Sequence, residues 1–265
     1  MTLLACKKLF RVNLAVMLID DFTDSCIYGS GFTLSIKDTN INPLRKNDGF
    51  YVFTNLPSNQ IQIMVKSSKY IDEIFNINTE SLQASSPVVK IRLKPNVNYN
   101  LSTTCTAVTG VIRSSNNNPL DGVNIKVVPH NQSSDYKIVK IKKLKDKNLI
   151  TLYSSGSKNL EGKTFLICDK KSDKKEYFTL LESFDNNNTF ILKEPLTHEY
   201  NKNDAYILKV YSTRTDKNGQ FLMPLDFKID NNKEIILEAE YNSRVISREF
   251  EISKNIRNKI GTITF

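Results

Sequence analysis

The side chains best suited to chemistry are few in this chain, and their spacing assigns most of them to turns. Asp216 and Asn218, followed by Gly219, place oxygen ligands at alternate positions, as a calcium loop begins. An EF-hand-type loop also needs a glutamate at its twelfth position, and the twelfth residue from Asp216 is Phe227. The phrase therefore reads as a turn, for which Asn and Asp are suited because they tolerate left-handed backbone. His198 stands beside Glu199 and close to Glu194, a set with acid–base potential. A general base needs a partner that orients it in a concave site, and no Ser, Cys or Asp constellation accompanies this one. His198 falls in a polar connector, and His130 follows Pro129 at a strand end, so both are expected at the surface. Asp20 and Asp21 are adjacent, which in extended chain sends their carboxylates to opposite faces; turn formation or helix capping is the expected role. The basic knot Lys170-Lys171-Ser172-Asp173-Lys174-Lys175 could meet phosphate or an acidic partner, but Asp173 interrupts it and its setting is a hairpin tip. Cys6, Cys26, Cys105 and Cys168 show no CxxC and no metal-ligand spacing, and two histidines add little, so zinc and a disulfide framework are both disfavoured. The assignment is no catalytic, no cofactor-binding and no metal-ligating residue, and a protein that is not an enzyme.

The elements that would have to carry any site are strands. One phrase is written twice, at Lys46-Asn47-Asp48-Gly49-Phe50-Tyr51-Val52-Phe53 and at Asp216-Lys217-Asn218-Gly219-Gln220-Phe221-Leu222. In both, an Asp/Asn-Gly turn opens into an alternating strand, a strong hairpin signal. Leu14–Ile19, Phe32–Ile36, Ile61–Val65 and Val88–Leu93 complete a first sandwich over residues 1–95, with 71–83 left open between a helical turn and a loop. Residues 96–104 are polar and turn-rich, a linker. A second sandwich starts at 105–134, but its hairpin phrase is delayed to Asp216, so this unit comprises 105–134 plus 213–265. The intervening 135–212 contains short apolar runs at Ile138–Ile141, Leu149–Leu152, Thr164–Ile167, Tyr177–Leu181, Phe190–Leu192 and Ala205–Leu208, split by polar turns. Such even spacing predicts a small antiparallel β-barrel inserted at a hairpin tip. The fold class expected is all-β, two transthyretin-like antiparallel sandwiches with the second interrupted by a barrel.

Composition agrees with an ordinary folded protein: 40% hydrophobic, 25% charged, net charge +9 over 265 residues. The excess divides as +3 over 1–95, +4 over 135–212 and +2 elsewhere, too thinly for the clustered stripe nucleic acid requires. Lys7 and Lys8 precede an apolar run, but Arg11 and Asn13 interrupt it and Asp20-Asp21 follow, so a strand is expected there instead of a signal peptide. No run reaches the length of a membrane span. Synthesis in the cytoplasm without a signal peptide, and no nucleic-acid partner, are the corresponding expectations.

At Gly110-Val111-Ile112-Arg113, Pro119-Leu120-Asp121-Gly122-Val123-Asn124-Ile125-Lys126-Val127 and Thr215-Asp216-Lys217-Asn218-Gly219-Gln220-Phe221 the chain resembles the carboxypeptidase regulatory-like, or transthyretin-like, β-sandwich family. The match covers 105–134 and 213–265; residues 14–93 resemble a more divergent member through Arg45 to Phe53. The inserted segment, with Leu160 to Ile167 and Ile191 to Leu196, resembles small barrels of phage-tail and contractile-injection components. The resemblance implies fold more than function, because the family is an add-on in enzymes, adhesins and assemblies. The Lys–Asn isopeptide bond of adhesin relatives would need a Lys in the first strand and an Asn in the last, and the core-facing positions of Thr106–Ile112 and Ile260–Phe265 hold neither. The function expected is a structural or adaptor subunit of a multiprotein particle of phage-tail-like or contractile-injection type, with protein subunits as partners and self-association through edge strands. A cell-surface or carbohydrate-binding module and an enzyme accessory subunit are the alternatives; the absence of Trp counts against the former.

Overall fold

The computed structural model describes residues 12–265 except 57, 84, 131–135, 144–147, 155–159, 185–187 and 227–231. Cys6, Lys7, Lys8 and part of the polar turn at 185–188 lie outside the described residues. Seven strands come first: β1 (Val12–Asp20), β2 (Phe32–Ile36), β3 (Leu44–Arg45), β4 (Phe50–Thr54), β5 (Gln60–Ser67), β6 (Glu73–Asn78) and β7 (Val88–Leu93). They form two sheets, β3-β4-β1-β7 and β2-β5-β6. Leu14, Val16 and Leu18 alternate along β1 and meet Leu34, Ile36, Ile61, Ile63 and Val65 of the other sheet in one core with Phe53 at its centre. This is the period-two burial that an amphipathic strand enforces. The undecided stretch 71–83 is β6 followed by a single 3-10 turn at Thr79–Ser81. Phe75 and Ile77 turn inward between exposed Ile74 and Asn76. Two asparagines, poor strand formers, hide that alternation in the sequence.

The second run begins with β8 (Thr106–Arg113) and β9 (Asn124–Pro129). It continues through β10 (Tyr136–Lys143), β11 (Asn148–Ser154), β12 (Thr164–Asp169), β13 (Lys175–Ser183), β14 (Thr189–Leu192) and β15 (Ala205–Arg214). It closes with β16 (Gln220–Leu225), β17 (Lys233–Tyr241), β18 (Arg244–Ile252) and β19 (Arg257–Thr264). β16-β8-β19 makes a three-stranded sheet whose Val108, Ile112, Phe221, Met223 and Ile263 pack on Ile125, Val127, Ile235 and Leu237 of β9 and β17. The molecule is thus all-β and sandwich-like, with several sheets.

The expected barrel is not closed among the described residues. β10 to β15 form the open order β10-β11-β14-β13-β12-β15, and β15 hands on to β9-β17-β18, giving a nine-stranded sheet. The reason lies in β15, whose residues 205–210 pair with β12 while 211–214 pair with β9, leaving no ladder between β15 and β10. The sheet nevertheless rolls around one core, since Tyr136 of β10 meets the Phe165 ring of β12 at 5.1 Å and Ile150, Ile167, Leu180, Phe190 and Ile207 share it. β9 and β15 are antiparallel neighbours, so the inserted strands leave and re-enter at one place on the second sandwich-like body.

Candidate functional site

The densest set of buried polar groups lies where these bodies meet. β1 runs out of apolar residues at Asp20, and the chain turns over residues 21–23. Asp20 is 4% exposed, and an isolated carboxylate there would be costly. It is satisfied four times: by the backbone N–H of Phe22 at 2.8 Å and of Thr23 at 3.0 Å, and by the hydroxyls of Tyr70 at 2.7 Å and Tyr99 at 2.5 Å. The two tyrosine rings stand edge-on at 5.4 Å. Burial, then the Asp20 hydrogen bond and charge, push both phenols well above their ordinary range, so both stay protonated donors.

Asp21 and Asp24, on the same turn, face two cations from different bodies. Arg92 of β7 reaches Asp24 at 2.5 Å and Asp21 at 3.6 Å. Lys163, just before β12, reaches Asp24 at 3.1 Å, Asp21 at 3.3 Å and the Asp21 carbonyl at 2.7 Å. Next to them, half-buried Lys94 donates to Ser212 at 3.3 Å, and burial lowers its pKa against the opposing pull of Asp21 and Glu73. Arg214 of β15 pairs with Glu73 of β6 at 3.1 Å. Lys209 pairs with Asp226 at 2.9 Å, and Tyr211 donates its hydroxyl to the same carboxylate. Burial first, then Asp226, raises the Tyr211 phenol well above normal. The cavity framed by Asp21, Lys163, Lys209, Tyr211 and Asp226 measures about 60 Å³. That is below the roughly 300 Å³ at which small-molecule pockets begin, whereas the open cavity beside it, lined by Phe22, Tyr99, Cys105, Asp226 and Lys254, measures about 750 Å³. What this arrangement does chemically is hold charge fixed between bodies.

The residues singled out in the sequence are placed as follows. Asp216 accepts the backbone N–H groups of Asn218 at 2.9 Å and Gln220 at 2.8 Å through its side chain, closing the turn with its oxygen atoms. His198 is half-exposed, 3.4 Å from Glu176 and 2.9 Å from Thr197. His130 donates its backbone N–H to Glu234 at 3.0 Å. Lys170–Lys174 is the tip joining β12 to β13, where Lys171 pairs with Asp204 at 2.8 Å. Cys26, Cys105 and Cys168 are free thiols. Among the described residues no group of three or more His, Cys, Asp or Glu is placed to hold a metal ion. Among the described residues no helix is long and apolar enough to cross a membrane. None of these singled-out residues except Asp20 and Asp21 enters the junction. Tyr70, Arg92, Tyr99 and Lys163 went unread because they stand 50 to 142 positions from the carboxylates they meet. The available signal was Asp20 itself, a carboxylate ending a strand of alternately buried residues.

No family model matches the chain, and no curated protein matches it. Among solved structures it has weak likeness to the Bacillus anthracis TIE protein, with 9% identity and a TM-score of 0.23, covering 95% of this chain and 50% of that one. It is likewise similar to the shaft pilin SpaA from Lactobacillus rhamnosus GG, at 13% identity and TM-score 0.23, covering 94% and 95% of the two chains. A Streptococcal ancillary pilin follows at 10% identity and TM-score 0.16, covering 94% and 97%. The chain spans about half the length of the TIE protein chain. At such scores the overlap carries no argument about fold or function.

Proposed function

We propose that this chain is a non-enzymatic structural or adaptor subunit of a multiprotein particle. The carrying observation is the use of its least ordinary polar groups. Asp21 and Asp24 of the first body pair with Lys163 beside the inserted strands, and Asp20 holds Tyr99 of the linker, which favours a rigid multi-part scaffold over a concave reactive site. Among the described residues its sheets also end in strands with one ladder partner each, and strand edges are docking elements for other chains. Within this reading the bodies are two carboxypeptidase regulatory-like sandwiches, 1–95 and 105–134 plus 213–265, joined by 96–104, with 135–212 as an inserted barrel-like unit. The particle is of phage-tail-like or contractile-injection type, on the resemblance of the inserted strands. The chain is made in the cytoplasm. The test is size fractionation of lysate from cells that make the protein, with its partners quantified. Elution with partners at fixed stoichiometry supports the reading; elution as a free 30.3 kDa chain overturns it.

A further inference from the structure

The first and last strands of each body are parallel neighbours. β1 holds β7 over six consecutive residue pairs, from Ala15 opposite Val88 to Asp20 opposite Leu93. β8 holds β19 over six pairs as well, from Ala107 opposite Arg257 to Arg113 opposite Thr264, with one irregularity between Lys259 and Thr262. Further backbone bonds extend both ladders: Ala15 donates to Pro87, Asp21 to Leu93, Ala107 to Ile256 and Phe265 to Arg113. In a parallel pair the chain enters one strand and leaves the other at opposite ends. Tension along the chain therefore draws the two strands past each other lengthwise, and the evenly spaced bonds between them resist together. Two strands drawn apart from the same end lose those bonds one at a time.

Side chains brace the same strands where load would cross from one body to the other. Asp20, the last residue of β1, accepts the hydroxyl of the linker residue Tyr99 at 2.5 Å. The carbonyl of that same Tyr99 accepts from Arg257, the first residue of β19, at 2.9 Å. One linker residue is thus tied to both strand pairs. Arg92 of β7 reaches Asp24, just beyond β1, at 2.5 Å. Asn255 donates its backbone N–H to the Thr106 hydroxyl at 2.9 Å, and the Asn258 amide reaches the Ala107 carbonyl at 3.2 Å. These two bonds fasten β19 to β8 at the end where the linker joins. The inserted strands hang from β9 and β15, which pair with neither β8 nor β19, so the insertion lies outside this path.

We propose that both bodies bear load: β1 with β7 and β8 with β19 are tension clamps in series, through which the chain transmits pull along its length without opening. The inserted strands ride on the second clamp and feel the pull only after it has parted. This function goes beyond the structural-subunit reading and does not depend on it.

Single-molecule pulling of the full chain tests it, with the point of attachment as the variable. Handles on the two chain ends load the second body in shear. Handles on exposed Asn116, in the loop after β8, and on the C-terminal end draw the same two strands apart from one end, because Arg113 faces Thr264. Forced opening is governed by the unfolding barrier, and here only the direction of pull across it differs. The expected result is a rupture force several-fold higher end to end than from Asn116. End to end, two whole-body events are expected. The second body, whose ladder is the interrupted one, yields first and frees about twice as much chain as the other. Equal forces in the two arrangements, a series of small steps in place of two events, or the first body yielding first would each overturn the inference. A chain that co-elutes with partners yet parts equally easily from both attachments defeats this inference and leaves the structural-subunit reading intact. A free chain that resists end-to-end pull does the reverse.

Discussion

The first and second sandwich-like bodies run one seven-strand plan and differ in where the third strand goes. In the first, β1 holds β4 antiparallel on one side and β7 parallel on the other, facing β2-β5-β6. In the second, β8 holds β16 antiparallel and β19 parallel, facing β9-β17-β18. The third strand of the first body is the two-residue β3, paired to β4; that of the second is the ten-residue β15, paired to β9. Switching sheets makes β9 and β15 direct neighbours, so both ends of an insertion leave from adjacent antiparallel strands. Insertion is tolerated where chain ends lie close together. In the first body β2 and β3 belong to different sheets, so the corresponding connection does not join neighbours. At this connection the ends of an insertion lie side by side only where the third strand has changed sheets.

If the two bodies carry equal weight, emptying their cores should cost the same. Phe53 and Phe221 are both fully buried on the strand that follows the repeated turn. Phe53→Ala and Phe221→Ala should each destabilise by about 3–5 kcal/mol. Urea denaturation gives the totals, and hydrogen exchange locates which strands open. Losses differing by more than about 2 kcal/mol would break the equivalence, since this exceeds the usual spread for one kind of site.

The repeated turns themselves should not respond equally. In both, the glycine N–H donates three residues back, Gly49 to Lys46 at 3.1 Å and Gly219 to Asp216 at 2.8 Å. In both, the chain closes from Lys46 to Phe50 and from Asp216 to Gln220 at 2.8 Å, with glycine φ of 87° and 70°. A Cβ at Gly49 would meet only the ring of exposed Tyr28, which can swing away. A Cβ at Gly219 would lie 2.3 Å from the Ile112 carbonyl oxygen, held by its bond from Leu120. Gly49→Ala should cost about 1–2 kcal/mol, the left-handed backbone alone. Gly219→Ala should cost clearly more, because backbone must shift as well. Thermal melts of the pair decide it, and equal losses would refute the packing argument.

That asymmetry marks how far the sequence could be read. The twin turns were legible because Asn/Asp-Gly before an alternating strand is a local signal, and the late second copy exposed the insertion. β6 was hidden by its asparagines, and the open sheet was hidden by β15, whose apolar pattern continues from Ala205 to Thr213 without marking the change of partner at Tyr211. The junction was illegible for another reason. Tyr99 reads as one aromatic in a polar linker, and only folding brings its hydroxyl to a carboxylate 79 residues away.

Asp20 is the next point of difference, since the corresponding end of β8 carries Arg113 and Ser114 instead of a buried carboxylate. Asp20→Asn keeps the shape but removes the charge that two phenols and two backbone N–H groups address. With hydrogen bonds to charged groups worth about 1.5–3 kcal/mol, a net loss of about 2 kcal/mol is expected, confined to the first body. The tyrosines add a pH signature. Their folded pKa values are raised above the free value of about 10, so the stability they contribute is complete below that pH and is lost as pH rises through the folded values. Tyr99→Phe should flatten part of the alkaline loss of stability, followed as a melting temperature against pH, whereas a parallel profile would show that Tyr99 ionises freely.

The smallest expected effect tests whether the two bodies are coupled. Lys163 reaches Asp21 and Asp24 from the inserted strands, while Arg92 reaches them from within the first body. Lys163→Met keeps most of the aliphatic packing and leaves Arg92 to balance two carboxylates that are each about a quarter exposed. Partial exposure limits the cost to about 1 kcal/mol in total stability. The more telling readout is cooperativity, because Lys163 is a link between bodies and its loss should let the first body open at lower denaturant than the rest. Hydrogen exchange at β1 and β7 compared with β8 and β16 measures that separation. If exchange in both bodies shifts together in Lys163→Met, the coupling runs instead through Lys94 with Ser212 and Arg214 with Glu73, which would remain as the contacts joining the first body to β15.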